Sequence, residues 1–214
     1  MHDISHSDSL PKRRGRPPKP PADQTARQAL LRAGLAQMTQ TGFASLRLED
    51  ILVQAKVPKG SFYYHFPSKA AFTSTLITAY QDYLSAKLAR HFTNPALPPL
   101  ARLRAFTQEA QTSMARFEFR RGCLVGNLGQ EVVTLPSGMR AQLQAALAQW
   151  QTQTAGLLRA AIGAGDLPAD TDPDALAAYF WIGWEGAVLR AKLDQSPRPL
   201  IQFRDMFFNS LKGT

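Results

Sequence analysis

Five side chains suited to phosphates and base edges fall within seven residues: Lys59, Ser61, Tyr63, Tyr64 and His65. A lysine and a hydroxyl bind phosphate oxygens. Hydrogen-bonding aromatics meet base edges and sugars. Phe62 and Phe66 are threaded among them, four residues apart and therefore on one face of a helix. A short helix that buries two phenylalanines and displays tyrosines, a histidine and a lysine, with no carboxylate among them, suits duplex DNA. Upstream, Leu48, Ile51, Leu52, Ala55 and Val57 form the buried face of a second short helix. Downstream, Pro67-Ser68 stops one helix and starts another. The displayed residues thus belong to two helices joined by a tight turn, followed by a third.

A second basic element precedes this unit. In Lys12-Arg13-Arg14-Gly15-Arg16-Pro17-Pro18-Lys19, five of eight residues are basic, inside a polar, proline-rich stretch without hydrophobic period. Residues 1–22 are expected to be a disordered arm. The Arg-Gly-Arg-Pro core resembles the AT-hook of minor-groove binders. A thin, proline-stiffened strand fits a narrow A·T groove, where Arg13, Arg14 and Arg16 meet enhanced negative potential. The alternative is a solvated basic tail.

The run Val57-Pro58-Lys59-Gly60-Ser61-Phe62-Tyr63-Tyr64-His65-Phe66-Pro67-Ser68-Lys69 resembles the helix-turn-helix of TetR-type transcriptional regulators, with the likeness extending over about residues 25–80. The resemblance implies that Phe62 and Phe66 pack inward. It also implies that Lys59, Gly60, Ser61, Tyr63, Tyr64 and His65 face the major groove or its phosphates, and that Lys69 adds a phosphate contact. The sequence departs at Lys56, where a glycine is usual, and at Ala71, where a glutamate often follows. Lys56 would need a positive φ, costing about 1 kcal/mol.

The rest reads as helix, so the fold class is all-α. A first helix is expected from Thr25, in a capping-box pattern with Gln28, to Thr41-Gly42. A fourth opens at Ser68 and closes at Asn94-Pro95. An amphipathic segment spans 100–117, and a helix opened by Pro136-Ser137 runs through Ala161. Another starts at Asp172 or Pro173, and a last helix carries Leu200, Phe203, Met206, Phe207 and Leu211. The expected domains are the arm (1–22), a DNA-binding domain (23–70) and a ligand-binding and dimerisation domain (71–214). Between 173 and 193, Tyr179, Phe180, Trp181, Ile182, Trp184, Val188 and Leu189 nearly encircle the helix. Such a helix must be buried on several sides. TetR-like proteins dimerise through their last two helices, and a two-fold pair would present two recognition helices to a near-palindromic operator.

Residues 120–133 place Gly122, Gly126 and Gly129 around the single cysteine, Cys123. Glycines inside a helix cost about 1 kcal/mol each relative to alanine, so close packing or a ligand is expected to compensate. This run, with Trp184-Glu185-Gly186 and Leu189-Arg190-Ala191-Lys192, resembles a subgroup of TetR-type repressors that respond to electrophiles of the maleimide type or to acrylate. Two roles stand open for Cys123: a sensor thiolate whose pKa is lowered by Arg120 and Arg121 or by a helix N-terminus, or a small core residue beside a noncovalent ligand. For a carboxylate, Arg116, Arg120, Arg121 or Arg190 would form a bidentate clamp. Of Trp181 and Trp184, one is assigned to the core and one to the pocket wall.

The chain has 214 residues and a formal net charge of +9, which favours a polyanionic partner. No apolar run approaches the roughly 20 residues of a membrane span. No signal-peptide core is seen, so a cytoplasmic protein is expected. The four histidines (His2, His6, His65, His91) lack metal-ligand spacing. No nucleophile elbow or phosphate-cradling loop occurs. Neither an enzyme nor a cofactor is expected. The sequence points to a homodimeric, ligand-responsive transcriptional repressor. An activator on the same scaffold and an architectural DNA-binding protein are the alternatives.

Overall fold

The structure is a computed structural model that describes residues 22–211. Arg13, Arg14 and Arg16 of the basic arm lie outside the described residues. Within them the chain forms helices α1 (Ala22–Thr41), α2 (Leu48–Ala55), α3 (Lys59–His65), α4 (Lys69–Phe92), α5 (Pro99–Ala115), α6 (Leu124–Gln130), α7 (Met139–Gly163), α8 (Pro173–Asp194) and α9 (Arg198–Ser210). No strand occurs among the described residues.

The first three helices form a small unit around Phe62, Phe66 and, from α4, Phe72. These rings pack at centroid separations of 5.2 Å (Phe62–Phe72) and 4.8 Å (Phe66–Phe72). All three are buried, with Leu30, Met38 and Ile51 in the same core. Edge-to-face packing at these separations favours aromatic pairs beyond their area burial. Gly34 lets α1 approach α4: a Cβ there would overlap the Phe72 ring. Lys56 adopts φ 55° and ψ 43°, the left-handed turn its position demands. The Val57 N–H donates to the Leu52 carbonyl at 3.1 Å, closing α2 as a C-cap motif does.

Two helix starts differ from expectation. Helix α1 begins at Ala22, so Ala22 belongs to the helix and not to the arm. Thr25 stands inside the first turn rather than capping it, because Ala22 and Gln24 are as compatible with helix as the residues after them. Helix α7 begins at Met139, after Gly138 at φ 86°, not at Pro136-Ser137. Other caps fall as expected. The Ser68 hydroxyl accepts from the Ala71 N–H at 3.0 Å, and Asp172 accepts from the Asp174 and Ala175 N–H groups at 3.0 and 3.1 Å.

Helix α4 continues from the small unit into the rest of the molecule. It packs on α5 and α7, α7 packs on α8, and α8 packs on α9. Phe180, Trp181, Trp184 and Val188 bury one side of α8. Its other side leaves Tyr179, Ile182, Leu189 and Leu193 exposed, with Met206 of α9 also exposed. Gly183 admits α9, since a Cβ there would overlap the Phe203 ring.

Candidate nucleic-acid interface and cavity

Helix α3 sorts its side chains by the four-residue spacing of its two phenylalanines. Phe62 and Phe66 turn inward, which forces Tyr63 and Tyr64 out to 51% and 75% exposure. Lys59 and Gly60 are exposed, and Ser61 and His65 are half-buried. A Cβ at Gly60 would meet nothing within 4 Å, so this face is open to a close partner. The His65 ring stacks edgewise on Tyr64 at 5.1 Å. Lys69 is exposed but not extended freely: its ammonium lies 4.5 Å from the centre of the Phe43 ring. That cation–π contact pins the charge beside the α3 face. The seven residues expected to meet DNA thus gather on α3 and its flank, five of them exposed and two half-buried.

The other candidate site is a cavity of about 360 Å³ bounded by residues of α1, α4, α5 and α8 and by Cys123 at the start of α6. Of the residues singled out for a ligand, Arg121, Cys123, Trp181 and Trp184 line it. Both tryptophans do so, not one. Trp181 also donates from its indole N–H to the Thr154 hydroxyl at 2.9 Å. Arg120 is absent from the lining and pairs with Glu118 at 3.1 Å. Arg190 is also absent, pairing with Asp194 at 3.5 Å on the exposed side of α8. Arg121 lies 3.9 Å over the Phe117 ring.

Sequence reasoning missed Tyr80, Lys87 and Glu185, which also line the cavity. One signal was available for Glu185. It is the only charged residue between Asp174 and Arg190, in an otherwise apolar run. A lone acid in a buried helix is rarely accidental. Burial pushes the Glu185 carboxyl up to about 7, against a hydrogen bond from Cys123. A Cβ at Gly126 would collide with that carboxylate, so the glycine makes room for it. Burial, then the Glu185 charge, push the Cys123 thiol well above its usual range, against the Gly126 N–H. Burial, then the Cys123 and Glu185 charges, raise Tyr80 likewise. The lowered pKa that the sensor-thiolate role requires is therefore not found: burial, then the Glu185 carboxylate, raise it instead.

Lys87 is 6% exposed. Its ammonium pairs with Glu109 at 3.2 Å and reaches the Ser113 hydroxyl at 3.4 Å. Glu109 also accepts from Arg90 at 2.7 Å and contacts His91 at 2.6 Å. Desolvation raises the Glu109 pKa, but the hydrogen bonds from Arg90, His91 and Lys87 outweigh it and hold the carboxyl at about 2. The cavity lining therefore contains three cations (Arg32, Lys87, Arg121) and one acid, Glu185. Its walls are otherwise chiefly aromatic and aliphatic.

Among the described residues no group of three His, Cys, Asp or Glu side chains could hold a metal ion. No helix among them is long and apolar enough to cross a membrane.

A helix pair displaying polar aromatics, carried on an all-helical body with a cavity, defines a helix-turn-helix DNA-binding regulator. The chain belongs to the TetR family of transcriptional regulators. Residues 30–74 match the family described as bacterial regulatory proteins, tetR family, and residues 99–207 match the tetracyclin repressor-like C-terminal domain. It is 53% identical over 195 residues to the transcriptional regulator AcuR of Cereibacter sphaeroides, covering 91% of this chain and 89% of that one. It is 30% identical over 185 residues to the HTH-type transcriptional repressor DhaR of a Mycobacterium species, covering 86% and 91%. The crystal structure of a regulatory protein TetR from Rhodobacter sphaeroides superposes with a TM-score of 0.84 at 53% identity, covering 86% of this chain and 97% of that one. The reduced form of Escherichia coli NemR superposes with a TM-score of 0.78 at 27% identity, covering 86% and 95%. The family is one of regulators, which bears out the expectation that the protein is not an enzyme.

Proposed function

We propose that this regulator is a homodimeric repressor of a pseudo-palindromic operator, released by a small molecule bound in the cavity. The observation that carries this reading is the position of the cavity, walled partly by α1 of the DNA-binding unit and partly by α8. A molecule lodged there contacts both parts and biases their relative position, which is what a change in operator affinity requires. The name of DhaR as a repressor supports the direction of control. In the complex, Lys59, Gly60, Ser61, Tyr63, Tyr64, His65 and Lys69 contact the major groove and its phosphates. Arg13, Arg14 and Arg16 take the flanking minor groove. The exposed apolar side of α8, with Met206 of α9, is the surface a second copy covers.

Of the two ligand classes, an unsaturated carboxylate held noncovalently fits better than an electrophile captured by Cys123. Arg32 and Arg121 of the lining attract an anion, the Lys87 charge being met already by Glu109, and the neutral, buried thiol is a poor nucleophile. The test is binding of a duplex from the promoter of the protein's own gene, followed by anisotropy against a panel of small unsaturated acids and electrophiles. Release by an acid, retained in Cys123→Ser, is the expected result. Unchanged binding with every member of both panels would refute ligand control of this kind.

A further inference from the structure

Asn127 of α6 and Glu131, at its C-terminal end, stand four residues apart and so on one face. Both reach into the DNA-binding unit and bind backbone atoms. The Asn127 carboxamide donates to the Met38 carbonyl at 3.0 Å and to the Thr39 carbonyl at 2.8 Å. The Glu131 carboxylate accepts from the Phe43 N–H at 3.1 Å and from the Ala44 N–H at 2.7 Å. These are groups that α1 and its exit turn leave unmatched or only partly matched. The last four carbonyls of a helix have no partner within it, and the turn at 42–45 belongs to no helix. Backbone groups beside the recognition unit are thus satisfied from the other domain.

Three further observations make the arrangement specific. Gly42 adopts φ 82°, and a Cβ there would collide with the Glu131 carboxylate. The Gly122 N–H donates to the Thr39 carbonyl at 2.9 Å, and both residues line the cavity. Lys192, on the helix that carries Glu185, donates to the Asn127 carboxamide oxygen at 3.3 Å, which fixes the direction of that amide.

We infer that Asn127 and Glu131 are positioning residues, a two-point latch through which the contents of the cavity set the attitude of α1–α3 on DNA. The inference rests on the ligand-responsive reading above. It adds which bonds carry the response: a molecule that displaces Cys123 or Glu185 moves α6 or α8, and the latch moves the turn at Phe43-Ala44 with them. Carboxylate-to-amide bonds are directional and short-ranged, so a small displacement of α6 either drags the turn or breaks the bond.

The test uses the full-length protein with 8-anilinonaphthalene-1-sulfonate, an aromatic anion matched to the cavity's walls and cations, as the probe. Amide hydrogen exchange at Phe43 and Ala44 is followed with and without the probe, alongside affinity for the promoter duplex. In the wild type, probe occupancy should change exchange at these two amides several-fold. In Glu131→Ala and Asn127→Ala, probe affinity should be kept while that response, and any effect of the probe on DNA affinity, falls to near nothing. Glu131→Gln, which keeps one acceptor, should restore part of it, an outcome that a general loss of stability would not give. Should Glu131→Ala fail to fold, Asn127→Ala and Asn127→Ser carry the loss of response, with Glu131→Gln kept as the partial rescue. An unchanged exchange rate at Phe43 and Ala44 in the occupied wild type would overturn the latch, even if the probe releases DNA. A changed rate with no effect on DNA would keep the latch and defeat release by this ligand. A probe that fails to bind would overturn both.

Discussion

Replacing Glu185 by glutamine should remove the part of the dependence of stability on pH between about 5 and 8 that this carboxyl contributes. In the folded protein the carboxyl is pushed from 4.5 up to about 7. At about 1.4 kcal/mol per pH unit this corresponds to roughly 3 kcal/mol, an upper figure because the side chain keeps some contact with the cavity space. The folded state holds the proton more tightly than the unfolded chain does. Stability linked to the neutral carboxyl is therefore fully present below about pH 4.5 and is lost as pH rises through about 7. Glutamine cannot ionise and fills nearly the same volume. The variant should match the wild type near pH 4.5 and exceed it by as much as about 3 kcal/mol at pH 8. Urea unfolding followed by tryptophan fluorescence, at fixed protein concentration from pH 5 to 8, measures both curves. All other titrating groups are common to the two proteins and cancel in the difference. Parallel curves would show that Glu185 is ionised at neutral pH and that the account of the cavity's electrostatics is wrong.

Four other substitutions or treatments probe the remaining parts. Tyr63→Ala should weaken binding to the promoter duplex, and Lys69→Ala should also lower the slope of log affinity against log salt by about one; unchanged affinity and slope would remove both residues from the interface. Cys123 should react with N-ethylmaleimide far more slowly in the native protein at pH 7 than in urea, since the thiol is buried and its pKa raised; equal rates would reopen the sensor-thiolate role. Gly42→Ala should cost more than about 1 kcal/mol, from the positive φ alone, and should expose the Phe43 and Ala44 amides to exchange by displacing Glu131.

The helix pair and the exposed face of α3 were legible because their signals are local. Phe62 and Phe66 at one helical turn, Pro58 and Pro67 as punctuation, and Ser68 as a cap all act within a few residues of one another. Lys56 was legible for the same reason: the tight turn dictates its φ whatever side chain stands there. The cavity was legible only in part. Cys123 was marked by its glycines, but its chemistry depends on Glu185 and Tyr80, which arrive from α8 and α4. No periodicity within either helix says which residue of the other it will meet. Arg120 and Arg190, two of the arginines offered for a carboxylate clamp, stay out of the cavity lining for a related reason. Arg120 and Arg190 have carboxylates two and four residues away, Glu118 and Asp194, and these local partners claimed them.

The segment joining α5 to α6 shows where conformational strain has been accepted. Glu118 and Phe119 both adopt positive φ, 52° and 56°, a conformation that costs a non-glycine residue roughly 1–2 kcal/mol. Glycine at either position would relieve it. What the strained pair achieves is a tight reversal: the Phe119 N–H returns to the Met114 carbonyl at 3.0 Å, and the Phe119 ring is buried. Burying a phenylalanine gives back about 1.5–3 kcal/mol, which offsets much of the roughly 2–4 kcal/mol that the two positions cost together. Three residues later, the Gly122 N–H reaches the Thr39 carbonyl, and Cys123 takes its place in the cavity lining. A glycine-rich reversal would be easier to form but would hold Gly122 and Cys123 less firmly against α1. The strain therefore lies at a connection whose rigidity ties the cavity wall to α1, and under the ligand-responsive function proposed above, glycine at Glu118 and Phe119 should loosen that response before it lowers the affinity for DNA.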